Sequence, residues 1–217
     1  MIIDHNHSDY RKKYNTLSPD GKHNGAFYYS KEIVKNIIPY INTDRNWVTI
    51  KVGELAMDHS IIFIHNNLRP DHYDFLKNYN DLVLVCGVPE TVDKVKHLGT
   101  AIYIPLSVDV DYVSQFKSDV KFGRSCYVGR KSKLHYDGVT ITDSVEQLTG
   151  LSRPKLLSKM AQYRAVYAVG RTAIEAKILG CKVEPYDPRY PDPDFWKIVD
   201  NKEAAQILQE KLDLIDG

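Results

Sequence analysis

Glu175 stands five residues after Gly170 in the run Val166-Tyr167-Ala168-Val169-Gly170-Arg171-Thr172-Ala173-Ile174-Glu175-Ala176-Lys177-Ile178-Leu179-Gly180-Cys181-Lys182-Val183, which reads as strand, turn, helix and second strand. A helix that opens at Gly170-Arg171-Thr172 places the positive end of its dipole at that turn, with backbone N–H groups that the helix itself does not use. An anion the size of a phosphate gains hydrogen bonds and favourable charge there. The Arg171 guanidinium and the Thr172 hydroxyl add donors. Glu175 falls about one turn further on, where a carboxylate accepts hydrogen bonds from the hydroxyls of a sugar joined to that phosphate. Gly180 ends the helix as a C-cap. The alternative is an ordinary connecting helix with Glu175 in solvent.

The elements that would hold such a turn alternate short β-branched runs with helical segments, which argues for parallel sheets covered on both faces. Strands are expected at 1–5, 46–51, 60–65, 81–86 and 101–104. Residues 27–38 have apolar positions at helical spacing, and short helices are expected from Pro70 to Tyr79 and from Pro89 to Leu98. A second set has strands near 124–129, 137–141, 164–169 and 182–185. Its helices lie near 143–148, 152–162 and 172–179, and residues 202–214 form an amphipathic closing helix. Pro105 to Val120 is polar and turn-rich. The expected organisation is therefore a domain at 1–105, a linker at 106–122 and a domain at 123–217. The expected fold class is α/β, with two Rossmann-like domains whose parallel sheets face a crevice.

Composition permits this and narrows the partners. The 217 residues are 43% hydrophobic and 26% charged with a formal net charge of +1, which predicts no bulk attraction to nucleic acid or membrane. No apolar run approaches the roughly 20 residues that span a bilayer, and Met1-Ile2-Ile3-Asp4-His5 is too short and polar for a signal peptide. The expectation is a cytoplasmic protein with no membrane partner. Cys86, Cys126 and Cys181 are odd in number and lie in apolar surroundings, so buried thiols are expected rather than a disulfide frame or a zinc site.

Ligands of open parallel sheets bind beyond the carboxyl ends of strands, and the polar motifs gather there. His65-Asn66-Asn67 follows Ile61-Ile62-Phe63-Ile64, Gly87-Val88-Pro89 follows Leu82-Val83-Leu84-Val85-Cys86, and Gly129-Arg130-Lys131 follows Cys126-Tyr127-Val128. The segment G-R-T-x-I-E-A-x-x-x-G-x-x-V resembles the nucleotide-sugar segment in the C-terminal domain of GT-B fold glycosyltransferases. Ile104-Pro105-Leu106-Ser107-Val108-Asp109 is similar to the I-P-x-x-V-D that closes the N-terminal domain of many such enzymes. Tyr127-Val128-Gly129-Arg130 is similar to the F-V-G-R that begins their C-terminal domain. The likeness covers roughly residues 60 to 187.

The resemblance implies a glycosyltransferase whose co-substrate is a nucleotide sugar, a UDP-sugar first, with no other cofactor and no metal. It implies a donor diphosphate held by Gly129, Arg130 and either Lys131 or Lys133, since the family's lysine–glycine spacing is absent here. Gly170, Arg171 and Thr172 complete that cradle, Glu175 meets the ribose, and Gly25 opens a helix near the donor. Cations and helix N-termini aimed at the diphosphate stabilise the charge that builds on the leaving nucleotide. His65 is the first candidate for the base that deprotonates an acceptor hydroxyl. Asp4, His5, His7 and Asp9 compete for that role from the loop after the first strand.

Asp109-Val110-Asp111 has the D-x-D form of a divalent-ion ligand in the other glycosyltransferase fold, but Asp109 also completes the V-D motif. His5-x-His7 offers a metal pair without a third ligand. Lys117, Lys121, Arg124, Arg130, Lys131 and Lys133 form one local basic stretch and Arg11-Lys12-Lys13 another. A solvated face is the ordinary reading of either; tracking a phosphate backbone is the other. Compact phage enzymes that glycosylate hydroxymethylated bases make DNA a candidate acceptor, which would put the protein in a host cytoplasm. Polysaccharides and small molecules are the other acceptor classes. The competing functions are a non-catalytic nucleotide-binding module and a nucleotide-sugar epimerase. A Rossmann oxidoreductase is disfavoured because no G-x-G-x-x-G follows the first strand. The loop 186–196 is expected to be ordered and turn-rich, with Phe195-Trp196 packed inward.

Overall fold

Ser60-Ile61-Ile62-Phe63-Ile64 and Leu82-Val83-Leu84-Val85-Cys86 have no polar alternation, so a strand made from either must be covered on both faces, as inner strands of parallel sheets are. The computed structural model describes residues 1–4, 25–49, 55–64, 68–129, 141 and 144–217. In it these runs are β3 (Ser60–Ile64) and β4 (Leu82–Cys86), buried at every residue. With β1 (Ile2–Ile3), β2 (Asn46–Val48) and β5 (Thr100–Tyr103) they form an all-parallel sheet in the order β1-β2-β3-β4-β5.

Helix α1 (Gly25–Asn36) runs into a 3₁₀ turn at Ile38–Tyr40. Helices α2 (Pro70–Leu76) and α3 (Pro89–Val95) each begin with proline, whose fixed φ suits the first helical position and whose missing N–H costs nothing there. Leu76 and Val95 from these helices pack on Ile62, Ile64, Leu82, Leu84 and Cys86. The alternate strand residues Ile61, Phe63, Val83 and Val85 are buried as well, as the 2.0-residue period of a doubly covered strand requires.

The second sheet consists of β6 (Phe122–Tyr127), β7 (Glu146–Gln147), β8 (Tyr163–Tyr167) and β9 (Lys182–Glu184), all parallel, in the order β7-β6-β8-β9. Its helices are α4 (Val110–Ser114), α5 (Arg153–Met160) and α6 (Arg171–Ile178). The chain ends in α7 (Asn201–Asp216). By contacts the chain divides into one unit of Met1–Pro105 with Asn201–Gly217 and another of Leu106–Asp200. Both are α/β units of Rossmann-like character.

Three features differ from the sequence reading. Helix α7, grouped there with residues 123–217, belongs by its contacts to the first unit. Gln209 on α7 accepts from the Asn42 amide at 2.6 Å and donates to the Asn42 carbonyl at 3.2 Å. The segment 106–122, read as a linker, contains α4 and belongs to the second unit. Val108 and Val113 are fully buried, and Val108 bridges to Asp200.

The third difference is local. A helix was expected at 143–148, but Glu146–Gln147 pairs with Cys126 and Tyr127 as β7. Val145 and Leu148 are buried three residues apart, a spacing that a helix also satisfies. Pairing to β6, including the Leu148 amide bonded to the Tyr127 carbonyl at 2.9 Å, decides for the strand. The Glu146 carboxylate bonds Lys159 and Tyr163, and this anchors it further. Of the strand expected at 137–141, only Ile141 lies among the described residues, and it is outside any strand.

All three cysteines are buried free thiols, and loss of solvent pushes Cys86 and Cys126 up to about 12. Among the described residues no helix is long and apolar enough to cross a membrane.

Candidate functional site

Strand order locates the place where a parallel sheet opens for a ligand. In the first sheet the described strands follow one another in a single direction, so no two neighbours have connections that diverge. In the second sheet β6 leads to β7 on one side, while β8, on the other side of β6, leads on to β9. Counted within the unit, this is the 2-1-3-4 order of flavodoxin-like sheets, whose switch point between the first and third strands receives the ligand. Here that point lies beyond the carboxyl ends of β6 and β8, at Gly129 and Gly170.

Both glycines are required by geometry. Gly170 caps α6 at φ 64° and ψ −142°, a combination that side-chain-bearing residues avoid. Its carbonyl accepts from the amides of Ala173 at 3.0 Å and Ile174 at 3.2 Å, which starts the helix tightly. At Gly129 a Cβ would lie 2.2 Å from the Tyr127 hydroxyl oxygen, so any side chain there would have to displace that buried ring. Tyr127 is itself buried and meets Tyr186 edge-on at 5.2 Å. Gln147, at the end of β7, donates to the Gly129 carbonyl at 2.9 Å.

The connections β7–α5–β8 and β8–α6–β9 run in the same direction along the sheet, and right-handed crossovers then put α5 and α6 on one face with both N-termini at the carboxyl edge. Lys121, just ahead of β6, ties their opposite ends together. Its Nζ donates to the carbonyls of Ala161 and Leu179, the C-cap residues of the two helices, at 2.7 Å each. A cation there meets the negative ends of both dipoles. The sequence placed Lys121 in an outward basic stretch; its ammonium group is instead committed to helix ends, while Lys117 and Arg124 are exposed.

The N-terminal ends carry the unusual chemistry. Arg153 and Arg171 are the first residues of α5 and α6, and neither first turn holds an acidic residue. A cation at that position opposes the helix dipole, which favours anions there. Arg153 is compensated by Glu175, whose Oε1 lies 2.8 Å from its Nη1. Glu175 is only 3% exposed, so it is no solvated surface group, and a carboxylate buried to that degree needs such a partner. Arg171 donates through Nε to the Ser107 carbonyl at 3.1 Å. Leu106 comes within 3.7 Å of where a Gly170 side chain would start. The segment read as a linker thus braces the site turn.

The structure brings Gly170, Arg171, Thr172 and Glu175 together as the opening of one helix, with Thr172 partly buried, and places Gly129 at the end of the strand neighbouring theirs. Gly25 is the first residue of α1 in the first unit. Asp9, His65, Arg130, Lys131 and Lys133 lie outside the described residues. Arg153 escaped the sequence reading. Its signal was Ser152-Arg153-Pro154, an N-cap residue and a proline around an arginine, which marks a helix start after a strand.

Two further motifs resolve into structure. Asp109 is the N-cap of α4, its Oδ1 accepting from the Tyr112 amide at 2.8 Å. That accounts for the first carboxylate of Asp109-Val110-Asp111, and the described residues contain no cluster of three or more metal-ligating side chains. Beyond β9 the loop is ordered as expected. Asp187, with a buried side chain, accepts from Arg189 Nε at 2.9 Å and Nη2 at 2.5 Å. Trp196 is buried against Tyr190 and Phe195, with ring centres 4.9 and 4.8 Å away.

No protein-family model, curated protein or solved structure matches this chain.

Proposed function

We propose that this protein is a metal-independent glycosyltransferase of the GT-B type that takes a nucleotide sugar, a UDP-sugar first, as donor. The observation that carries the donor site is the pair of arginines at the first positions of α5 and α6 beside a buried carboxylate, at the switch point of the second sheet. Two helix N-termini and two guanidinium-bearing residues suit a diphosphate, and a carboxylate one turn beyond suits the ribose that follows it. The step from nucleotide binding to sugar transfer rests on the order of the three motifs at 104–109, 127–130 and 170–183.

In this reading the diphosphate sits against the Gly170-Arg171-Thr172 turn and Gly129, with Arg130 and Lys131 or Lys133 as further cations. Their charge stabilises the departing nucleotide as the glycosidic bond breaks. His65 or Asp9 is the candidate base for the acceptor hydroxyl. A hydroxymethylated base in DNA is the acceptor to test first. Incubation of the full chain with a panel of nucleotide sugars, with and without hydroxymethylcytosine DNA, reads out both nucleotide release and DNA mass. A gain of one sugar that disappears in Glu175→Gln supports donor and acceptor together. Release without mass gain keeps the transferase and rejects that acceptor; binding without release makes the chain a nucleotide-binding module.

A further inference from the structure

We propose that the amino half of β6 is a self-association edge, on which a second copy of this chain adds its own β6 antiparallel about a twofold axis at Gly123. The inference concerns the second unit alone and goes beyond the nucleotide-sugar reading, since neither requires the other.

In the order β7-β6-β8-β9 the strand β6 (Phe122–Tyr127) is an inner strand over only part of its length. β8 runs beside it from Phe122 to Tyr127, but β7 pairs with Cys126 and Tyr127 alone. Among the described residues no strand lies beside residues 122–125 on the β7 side. The backbone N–H and C=O groups along such a stretch are a template for a further strand. Burial follows the same division. Phe122, Gly123 and Arg124 are exposed, whereas Cys126 and Tyr127, where β7 covers the edge, are buried. Val120 and Phe122 are 66% and 55% exposed, in a place where an inner strand would hide them. β6 also carries a register shift against β8 between Phe122 and Ser125, and a shift of that kind keeps an added strand short.

The order of the side chains points to a second copy as the occupant. A twofold axis at Gly123 sets that glycine opposite its own equivalent, Phe122 opposite Arg124 of the second copy, and Lys121 opposite Ser125. Directly opposed like charges destabilise a pair of strands, while a guanidinium over an aromatic ring is favourable. Each Arg124 therefore meets a ring and not another cation. Lys121 brings no charge to the edge, because its Nζ is held by the carbonyls of Ala161 and Leu179 at 2.7 Å each. A Cβ at Gly123 would have no atom within 4 Å, so a second backbone has room to approach there. Beyond Ser125 the edge belongs to β7, which ends the pairing. An interface this short falls in the weak, transient class, with a dissociation constant of about 10–100 μM.

Sedimentation equilibrium of the full chain, from about 5 to 500 μM, tests this. The natural protein should be mostly monomer at the lower end and mostly dimer at the upper, in keeping with that constant. Phe122→Lys sets a cation against Arg124 of the second copy and should weaken association at least about tenfold. Adding Arg124→Asp to it makes the opposed charges unlike and should restore dimer. Both side chains are exposed, so the fold is kept. Gly123→Cys supplies a second readout, since the three natural cysteines are buried and the new thiol lies on the axis. Mild oxidation should yield a dimer whose linked peptide joins residue 123 to itself, and Lys155→Cys, exposed on α5, should stay monomeric. A monomer throughout the range overturns the proposal. So does association unmoved by Phe122→Lys, or no more linked dimer from Gly123→Cys than from Lys155→Cys, because either places any dimer on another surface.

Discussion

The amino edge of the first sheet and the carboxyl edge of the second both place a charge at the wrong end of a helix and compensate it with a buried partner. At the first, Asp216 lies at the C-terminal end of α7, where the dipole disfavours anions. Arg45, buried just before β2, meets it with Nη2 at 2.6 Å and Nε at 3.1 Å. Arg45 also reaches Asp81, just before β4, at 3.0 Å. Asp81 in turn holds His59, just before β3, at 2.5 Å, and His59 Nε2 meets Asp44 at 3.0 Å. His59 and Asp81 both take positive φ, 50° and 53°, so the strand entries bend to close this chain of pairs. At the second edge the cations Arg153 and Arg171 open two helices, and the strand order diverges between them and β6. Protein charges satisfy one another at an amino edge, and that arrangement serves stability. Similar groups lie at the carboxyl-edge switch point of the second sheet, where open parallel sheets receive ligands, and in the proposed function they meet the nucleotide.

Arg45→Ala should break the contrast hardest on the stability side. It removes a buried guanidinium and leaves Asp216 and Asp81 half-exposed without their cation. The expected loss is about 3 kcal/mol, the low end of the ~3–5 kcal/mol for breaking a buried pair, because both carboxylates can rehydrate. Urea unfolding measures it, and nucleotide affinity should not change. Lys121→Met should cost about 2 kcal/mol by the same measurement, since two helix-end carbonyls lose a charged donor. Unlike Arg45→Ala it should also weaken nucleotide binding, because α5 and α6 lose their common anchor. An affinity change in Arg45→Ala, or none in Lys121→Met, would blur the two edges into one.

Gly170→Ala sharpens the second edge alone. The nearest atom to the new Cβ is in ordinary contact at 3.7 Å, so the effect is backbone strain, about 1–2 kcal/mol. Nucleotide affinity should fall as the turn relaxes.

The smallest expected effect is the pH response of the first edge. Hydrogen bonding to Asp81 first, then to Asp44, raises the His59 pKa above its ordinary 6.5. Its stabilisation is therefore complete below about pH 6.5 and is lost as pH rises through the raised folded value. The same pairing with His59, and next Arg45, lowers Asp81 below its ordinary 3.8, so that contribution is present above about pH 4 and fades on acidification. The urea midpoint should fall between pH 6 and pH 8 in the natural protein, with a smaller fall in His59→Gln. The side chain is 41% exposed, which keeps the change small.

What the sequence made legible follows periodicity and glycine chemistry. β3 and β4 were readable because five consecutive buried residues leave no other element, and α6 because Gly170 and Gly180 bracket it. Glu175 was readable as a position, but not as a buried ion pair, because Arg153 is 22 residues away and only the crossover topology brings it near. Lys121 looked like a surface cation for the same reason, its acceptors lying 40 and 58 residues on. β7 was misread because two residues of strand carry no period, and Val145 and Leu148 satisfy helix and strand alike. Helix α7 was placed with its sequence neighbours, whereas Asn42 and Arg45, which hold it, come from the other end of the chain.

Nitrogen-15 amide spectra of the full chain, recorded with and without added UDP, separate the two edges in one experiment. Shifts are expected to concentrate at Gly129, Gly170, Arg171, Thr172 and Glu175, with Arg45, Asn46, His59, Ser60, Asp81 and Leu82 unmoved. Shifts at the amino edge of the first sheet, or no shifts at saturating nucleotide, would contradict this separation.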